Sequence, residues 1–149
     1  MEIIEFLKSN NQEYWLSKIK ECNWGAGKFL CELINKKELT KALGVNTKLL
    51  LLTDGLELIS FCTLSDVDDI DTIEFTPWIG FVYTFPKYRG NRYMGILISY
   101  AEDMAKNNGY KNIYISTDKE GLYEKYGYSF FRIMKDRHND DSRVYIKEL

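Results

Sequence analysis

Residues 78–95 constrain this chain more than any other stretch. Trp78-Ile-Gly-Phe-Val-Tyr-Thr84 is a nearly unbroken apolar run, the pattern of a strand at a sheet centre covered on both faces. Pro86 stops it, because proline has no N–H to give to a ladder. A basic, glycine-containing turn, Tyr88-Arg-Gly-Asn-Arg-Tyr-Met-Gly95, then opens a helix with Leu97, Tyr100, Ala101, Met104 and Ala105 as its apolar stripe. Gly109 follows Asn107-Asn108 as a C-terminal cap, and Asn112-Ile-Tyr-Ile-Ser116 is the next short strand. Strand, helix and strand in this order specify a right-handed crossover between parallel strands.

The flanking segments read more conventionally. The first fifty residues are expected to be helical: Gln12 to Cys22 on a stripe of Trp15, Ile19 and Cys22, then Gly25 to Lys37 with Phe29, Leu30, Leu33 and Ile34, then a short turn closed by Gly44. Lys48–Thr53 and Leu56–Leu64, joined at Asp54-Gly55, form a β-hairpin of the kind that favours a type I′ turn. An acidic loop runs from Asp66 to Glu74. Thr117-x-x-Glu120 has the form of a capping box for a two-turn helix through Tyr126, ended by Gly127. Tyr128 to Met134 and Arg143 to Ile146 are two strands about a polar turn. The expected class is therefore α+β (mixed α/β): hairpins flanking a parallel pair in one mixed sheet, with helices packed on it.

Composition narrows the partners. The 149 residues suit one domain with a self-sufficient core. Twenty Lys+Arg against 22 Asp+Glu give a formal charge of −2, which argues against a general nucleic-acid binder. Apolar runs are too short for a membrane span. Cys22, Cys31 and Cys62 lie at unrelated spacings with a single histidine, His138, so a zinc site lacks ligands and no metal is expected. Each cysteine reads as a buried, reduced apolar residue, and Met1–Glu5 lacks the features of a signal peptide, which together suit the cytoplasm.

The turn after the central strand has a physical use. Free N–H groups converge at a helix N-terminus, the dipole adds about half a positive charge, and an anion such as pyrophosphate fits there. Arg89 and Arg92 add charge-assisted donors, and Gly90 and Gly95 permit close approach. The turn has neither the Gly-Lys-Ser/Thr ending of a P-loop nor a G-x-G-x-x-G fingerprint.

Thr76 to Gly90, the helix after it, and Gly121-Leu-Tyr-Glu-Lys-Tyr-Gly127 together resemble the GCN5-related N-acetyltransferases (GNAT). The resemblance covers roughly residues 47–148. It departs from the family pattern Q/R-x-x-G-x-G/A: read from Arg89, Arg92 and Met94 stand where small residues are expected, and read from Arg92, Gly95 is followed by Leu97. The resemblance implies a mixed, mostly antiparallel twisted sheet with a splayed parallel pair. It implies one N-acetyltransferase domain over 1–149, with residues 1–45 as the helical acceptor side and 47–148 as the acetyl-CoA-binding core. Acetyl-CoA would lie in the splay, its pantetheine arm along Val82 and Thr84 and its pyrophosphate on Arg89, Gly90, Asn91, Arg92, Tyr93, Met94 and Gly95. An N–H near Val82 would polarise the thioester carbonyl. Tyr123 matches the family tyrosine that protonates the departing thiolate, a role for which a phenol is in the right state at neutral pH.

An amine acceptor must lose a proton before it attacks, and Glu74, with Asp71 next, is the nearest carboxylate in sequence to the central strand. The run Asp66, Asp68, Asp69, Asp71 lacks the glycine and glutamate of a calcium loop and suits attraction of a cationic acceptor. Tyr14, Trp15 and Trp24 are either acceptor-pocket residues or core. Phe130, Phe131 and Ile133 on the last hairpin are either core or a dimer contact, leaving monomer and homodimer both open. The expectation is an acetyltransferase acting directly, in a ternary complex, on a primary amine of a small molecule or peptide. A non-catalytic acyl-CoA sensor of the same fold is the alternative, and a structural interaction domain a third.

Overall fold

Period-two alternation in the central hairpin builds the sheet and separates its faces. The structure, a computed structural model, describes residues 1–149. In β2 (Lys48–Asp54), Leu50 and Leu52 turn to one face and Leu49 and Leu51 to the other, all four buried. Each such leucine contributes about 1.5–3 kcal/mol of hydrophobic stabilisation. β3 (Glu57–Ser65) pairs with β2 in antiparallel register from Lys48↔Leu64 to Asp54↔Glu57. The hairpin loop is Gly55-Leu56, with positive φ (+61°) at Gly55 and not at Asp54. The expected type I′ turn centred on Asp54-Gly55 is thus replaced by one with glycine at the first central position, as in type II′.

The chain opens with a strand rather than a helix. β1 (Glu2–Glu5) pairs antiparallel with β2, setting Ile3 opposite Leu52 and Ile4 opposite Leu51. Then follow α1 (Gln12–Ile19), α2 (Gly25–Asn35) and the short α3 (Leu39–Leu43). These three helices cover the Leu49/Leu51 face through Trp15, Ile19, Leu30, Leu33 and Leu43. Phe29 departs from its expected place in the stripe of α2 and stands 52% exposed, while Cys31 is buried.

The central unit forms as the sequence specifies. β4 (Trp78–Thr84), α4 (Tyr93–Asn107) and β5 (Asn112–Thr117) make the crossover. α4 lays Leu97, Ile98, Ala101 and Ala105 on the Leu50/Leu52 face, with Tyr100 and Met104 at the margin of that core. β6 (Ser129–Lys135) and β7 (Asp141–Glu148) complete a seven-stranded sheet of order β1-β2-β3-β4-β5-β7-β6, in which only β4 and β5 run parallel. β6 is an outer strand, exposing Phe130 and Ile133 while Phe131 packs on Phe75 and Tyr114. The three cysteines are buried and free, and burial alone pushes Cys62 up to about 12.

One expected helix is absent. Between β5 and β6 only a 3₁₀ turn, Tyr123–Tyr126, is formed. Thr117 Oγ1 accepts from the amide of Lys119 (3.1 Å), and Glu124, not Glu120, accepts from a backbone N–H, that of Gly121 (3.1 Å). Gly121 has φ +83°, a left-handed conformation that breaks the helix the capping box would have started.

Candidate functional site

β4 loses regular pairing with both neighbours halfway along its length. Against β3, the register runs from Phe61↔Tyr83 to Thr63↔Gly80, leaving Phe81 and Val82 opposite Cys62. Two residues facing one make a bulge, and Phe81 takes φ +50° to form it. Against β5, pairing is confined to Trp78↔Tyr114 and Ile79↔Ile115. Beyond Ile79 the two strands no longer pair, and the far half of β4 lines a cleft of about 800 Å³.

Val82 and Thr84 line this cleft from β4, Arg89, Gly90, Arg92, Tyr93 and Met94 from the turn into α4, and Trp24 from the α1–α2 connection. Leu122, Lys125 and Tyr126 close it from the 3₁₀ turn. Four cations, Arg89, Arg92, Lys119 and Lys125, stand on its walls, and none of its lining residues is acidic. Trp24 is held there by stacking on Tyr83, with ring centroids 5.5 Å apart and planes 13° apart.

The turn itself is built for exposed amides. Gly90 (φ +84°) and Arg92 (φ +57°) are both left-handed. Arg92 is the N-cap of α4 and makes no side-chain cap bond, so the first N–H groups of the helix have no side-chain acceptor there. A glycine-like conformation on arginine costs about 1–2 kcal/mol. Arg92 thus takes the backbone shape that a small residue adopts easily, while adding a cation to the cleft. Arg89 donates through Nε to the Thr84 carbonyl (2.8 Å), and its guanidinium lies 5.3 Å from the Tyr83 ring centre, fixing its charge at the end of β4.

Three residues that the resemblance sets at the site, Asn91, Gly95 and Tyr123, do not line the cleft. Asn91 does not line the cleft; its Nδ2 donates to the Tyr88 carbonyl (3.1 Å) and braces the turn. Gly95 is also off the wall, and a Cβ there would come within 2.7 Å of Tyr126 Cε1. Its smallness serves the approach of Tyr126 to α4.

Tyr123 is buried (6% exposed) on the same turn as Tyr126, with its ring 6.3 Å from that of Tyr128. Burial foremost, then the charges of Cys62, Asp68 and Tyr126, raise its pKa above the ordinary phenol value. Glu74 and Asp71 are exposed on the loop before β4 and do not line the cleft. The acidic run does not act as one patch. Asp66 is occupied by the backbone and side-chain amides of Asn46 (3.0 and 3.1 Å), whereas Asp68 is buried. Trp15 is core and Tyr14 donates to the Leu56 carbonyl, so of the three aromatics from the helical segment only Trp24 reaches the cleft.

The family model for the acetyltransferase (GNAT) family matches residues 7–128. The chain belongs to the GNAT acetyltransferases. Solved members share its fold. The aminoglycoside 6'-N-acetyltransferase of Enterococcus faecium superposes with TM-score 0.71 at 16% identity, covering 99% of this chain and 97% of that one. An acetyltransferase from Streptococcus agalactiae gives 0.68 at 20%, covering 99% and 98%. A GNAT acetyltransferase from Elizabethkingia anophelis, with acetyl-CoA bound, gives 0.60 at 23%, covering 78% and 87%. No curated protein matches the chain.

Nothing in the sequence pattern singles out Lys119 and Lys125 as cleft residues. They bring two of the four cations to this GNAT cleft from a segment whose lysines, on a regular helix, would have pointed to solvent. Their only sequence signal is their place on either side of Gly121-Leu-Tyr, within the second motif.

Proposed function

We propose that this protein is an N-acetyltransferase that moves the acetyl group of acetyl-CoA directly to a primary amine in a ternary complex. The observation that carries this reading is the cleft between β4 and the segment that follows β5: four cations and an uncapped helix N-terminus on its walls, and an edge of β4 that β5 leaves unpaired beyond Ile79. That combination suits a ligand with a phosphorylated head and a narrow amide-bearing arm. Arg89, Arg92 and the amides of Tyr93 and Met94 hold the pyrophosphate. Lys119 and Lys125 add charge from the facing turn. The backbone of Val82 and Thr84 pairs with the pantetheine amides, and an N–H at the bulge points to the thioester oxygen, where one such donor is worth about 3 kcal/mol in the transition state.

Tyr123 supplies the proton for the leaving sulfur. Its raised pKa keeps the phenol protonated throughout the working range, which is the state the step needs. The acceptor attacks the thioester carbon directly.

The test is thermal unfolding with acetyl-CoA and with free CoA. A ligand at a hundred times its Kd stabilises by about 2.7 kcal/mol, a shift of several degrees. Acetyl-CoA-dependent thiol release with added amines then follows turnover. Absence of a shift at millimolar ligand refutes the proposal. A shift without release from any amine supports the sensor alternative instead.

A further inference from the structure

A second hollow, of about 500 Å³, shares Trp24 with the cleft and has Phe81 of the bulge in its wall. Its apolar lining is Trp24, Ala26, Phe29, Leu43 and Phe81, with Phe29 standing exposed on α2. Asp68 and Asp69 supply carboxylates, and the turn between β6 and β7 contributes Arg137 and His138.

Asp68 is the unusual group. It is 8% exposed, yet apart from the Asp69 amide its carboxylate has no hydrogen-bond partner in the protein. Arg137, the nearest cation, is engaged through its Nε and its amide with the carbonyls of Asp68 (2.8 Å) and Asp69 (3.0 Å), leaving the carboxyl group free. That carboxyl group rests on Gly80, where an added Cβ would overlap it, one residue before the bulge. A buried carboxylate held by no more than one backbone amide is costly and rare in structural roles. This one faces a space large enough for a ligand, beside the edge where the thioester is proposed to lie.

We infer that this hollow is the acceptor pocket, that it receives a primary amine carried on a flat apolar body, and that Asp68 takes the proton from that amine. The inference rests on the acetyltransferase reading and specifies its second substrate. Burial, the largest influence, raises Asp68 to about 7; Asp69 raises it further while the Asp69 amide and Arg137 lower it. Asp136 and His138 act in turn on Asp69, and Asp68 itself contributes to the raised pKa of Tyr123. A carboxylate in that range accepts a proton at neutral pH and returns it to water easily.

The step balances as follows. The ammonium gives one proton to Asp68, leaving a lone pair on nitrogen. Nitrogen bonds to the acetyl carbon, and the carbon–sulfur bond breaks with its electron pair on sulfur. The second proton lost by nitrogen replaces the one that Tyr123 gives the sulfur. The products are the N-acetyl amine, the free thiol and one proton released from Asp68. Aromatic faces attract the ammonium and cover its apolar body. A polyhydroxylated amino sugar would cover these rings less well, with only Asp69, Ser116, Arg137 and His138 on the polar side to meet its hydroxyl groups.

The probes are 2-phenylethylamine and kanamycin, compared by acetyl-CoA-dependent thiol release across the neutral range. The wild type is expected to favour 2-phenylethylamine in kcat/KM by about tenfold or more, equivalent to about 1.4 kcal/mol. Its kcat/KM rises with pH through about 7 to a plateau, following Asp68. D68N, of nearly the same shape, loses that limb and about 100-fold in kcat/KM, while its stabilisation by acetyl-CoA is unchanged. F29A, which trims an exposed side chain, raises KM for 2-phenylethylamine several-fold. The inference is overturned if kanamycin is the equal or better substrate, if D68N keeps the rate and the limb, or if neither amine is acetylated by a protein that acetyl-CoA stabilises. A wild type that acetyl-CoA fails to stabilise overturns the proposed function first, and this inference with it.

Discussion

Replacing Lys147 with methionine tests what holds the 3₁₀ turn of the cleft in place. Lys147 Nζ lies 3.0 Å from Glu102 Oε1 on α4 and donates to the Tyr126 carbonyl at 2.9 Å. Glu102 accepts a further hydrogen bond from Tyr128 (2.8 Å). The side chains are 30% and 14% exposed respectively, so the pair lies between two regimes. Breaking a buried pair costs about 3–5 kcal/mol because a charge is stranded; an exposed pair is worth about 0–1. The intermediate exposure gives about 2 kcal/mol for K147M, and at about 2–4 °C per kcal/mol for a chain of this size the midpoint falls by about 4–8 °C. Urea denaturation of K147M, E102Q and the double variant separates this pair from general packing loss. The expected coupling is about 1 kcal/mol or more, since both residues act on one network. Additivity within about 0.3 kcal/mol would show that the two charges do not support each other, and the account of the turn would be wrong.

Tyr123→Phe is expected to lower kcat about 100-fold while leaving stabilisation by acetyl-CoA intact; an unchanged rate removes Tyr123 from the mechanism. Arg92→Gly relieves the left-handed strain, so the free protein should melt slightly higher, by about 1 kcal/mol at most, yet bind CoA more weakly in titration calorimetry because a cleft cation is gone. Asp68 gives a pH dependence without any substrate. Its folded pKa of about 7 lies above the unfolded value of 3.8, so the native state binds more protons between those values and stability falls as pH rises through that window. D68N should therefore match the wild type near pH 4 and exceed it above pH 7 by up to about 4 kcal/mol; equal melting curves at both ends would refute the buried carboxylate.

The crossover unit was legible because its signals are local: an apolar run, a proline stop, a basic glycine turn and one helical stripe all lie within residues 78–116. β1 was not, since two isoleucines between glutamates make too short a pattern, and its partner lies some fifty residues away. The missing helix after β5 failed for the opposite reason. The capping-box pattern is there in Thr117-x-x-Glu120, but a left-handed Gly121 breaks the helix it would start. Within the site, the sequence marks the whole turn at residues 89–95 alike, while in the structure Asn91 braces the turn and Gly95 packs against Tyr126. The carboxylates show the limit most clearly. Asp66, Asp68, Asp69 and Asp71 are alike in sequence, and only tertiary burial against Gly80 sets Asp68 apart, whereas Glu74, nearest along the chain, faces away from both cavities.

The two-rung ladder between β4 and β5 makes this sheet a pair of panels sharing a short seam. One panel is β1 to β4, the other β5 to β7, and the seam is Trp78↔Tyr114 and Ile79↔Ile115. Local opening occurs where backbone hydrogen bonds are fewest, so the seam and the edge beyond it should be the first part of the sheet to breathe. A strand-like ligand in the gap would act as a keystone, adding rungs that the protein alone does not form. Amide exchange at Val82 and Thr84 would slow when the gap is filled, and the two panels would then melt as one.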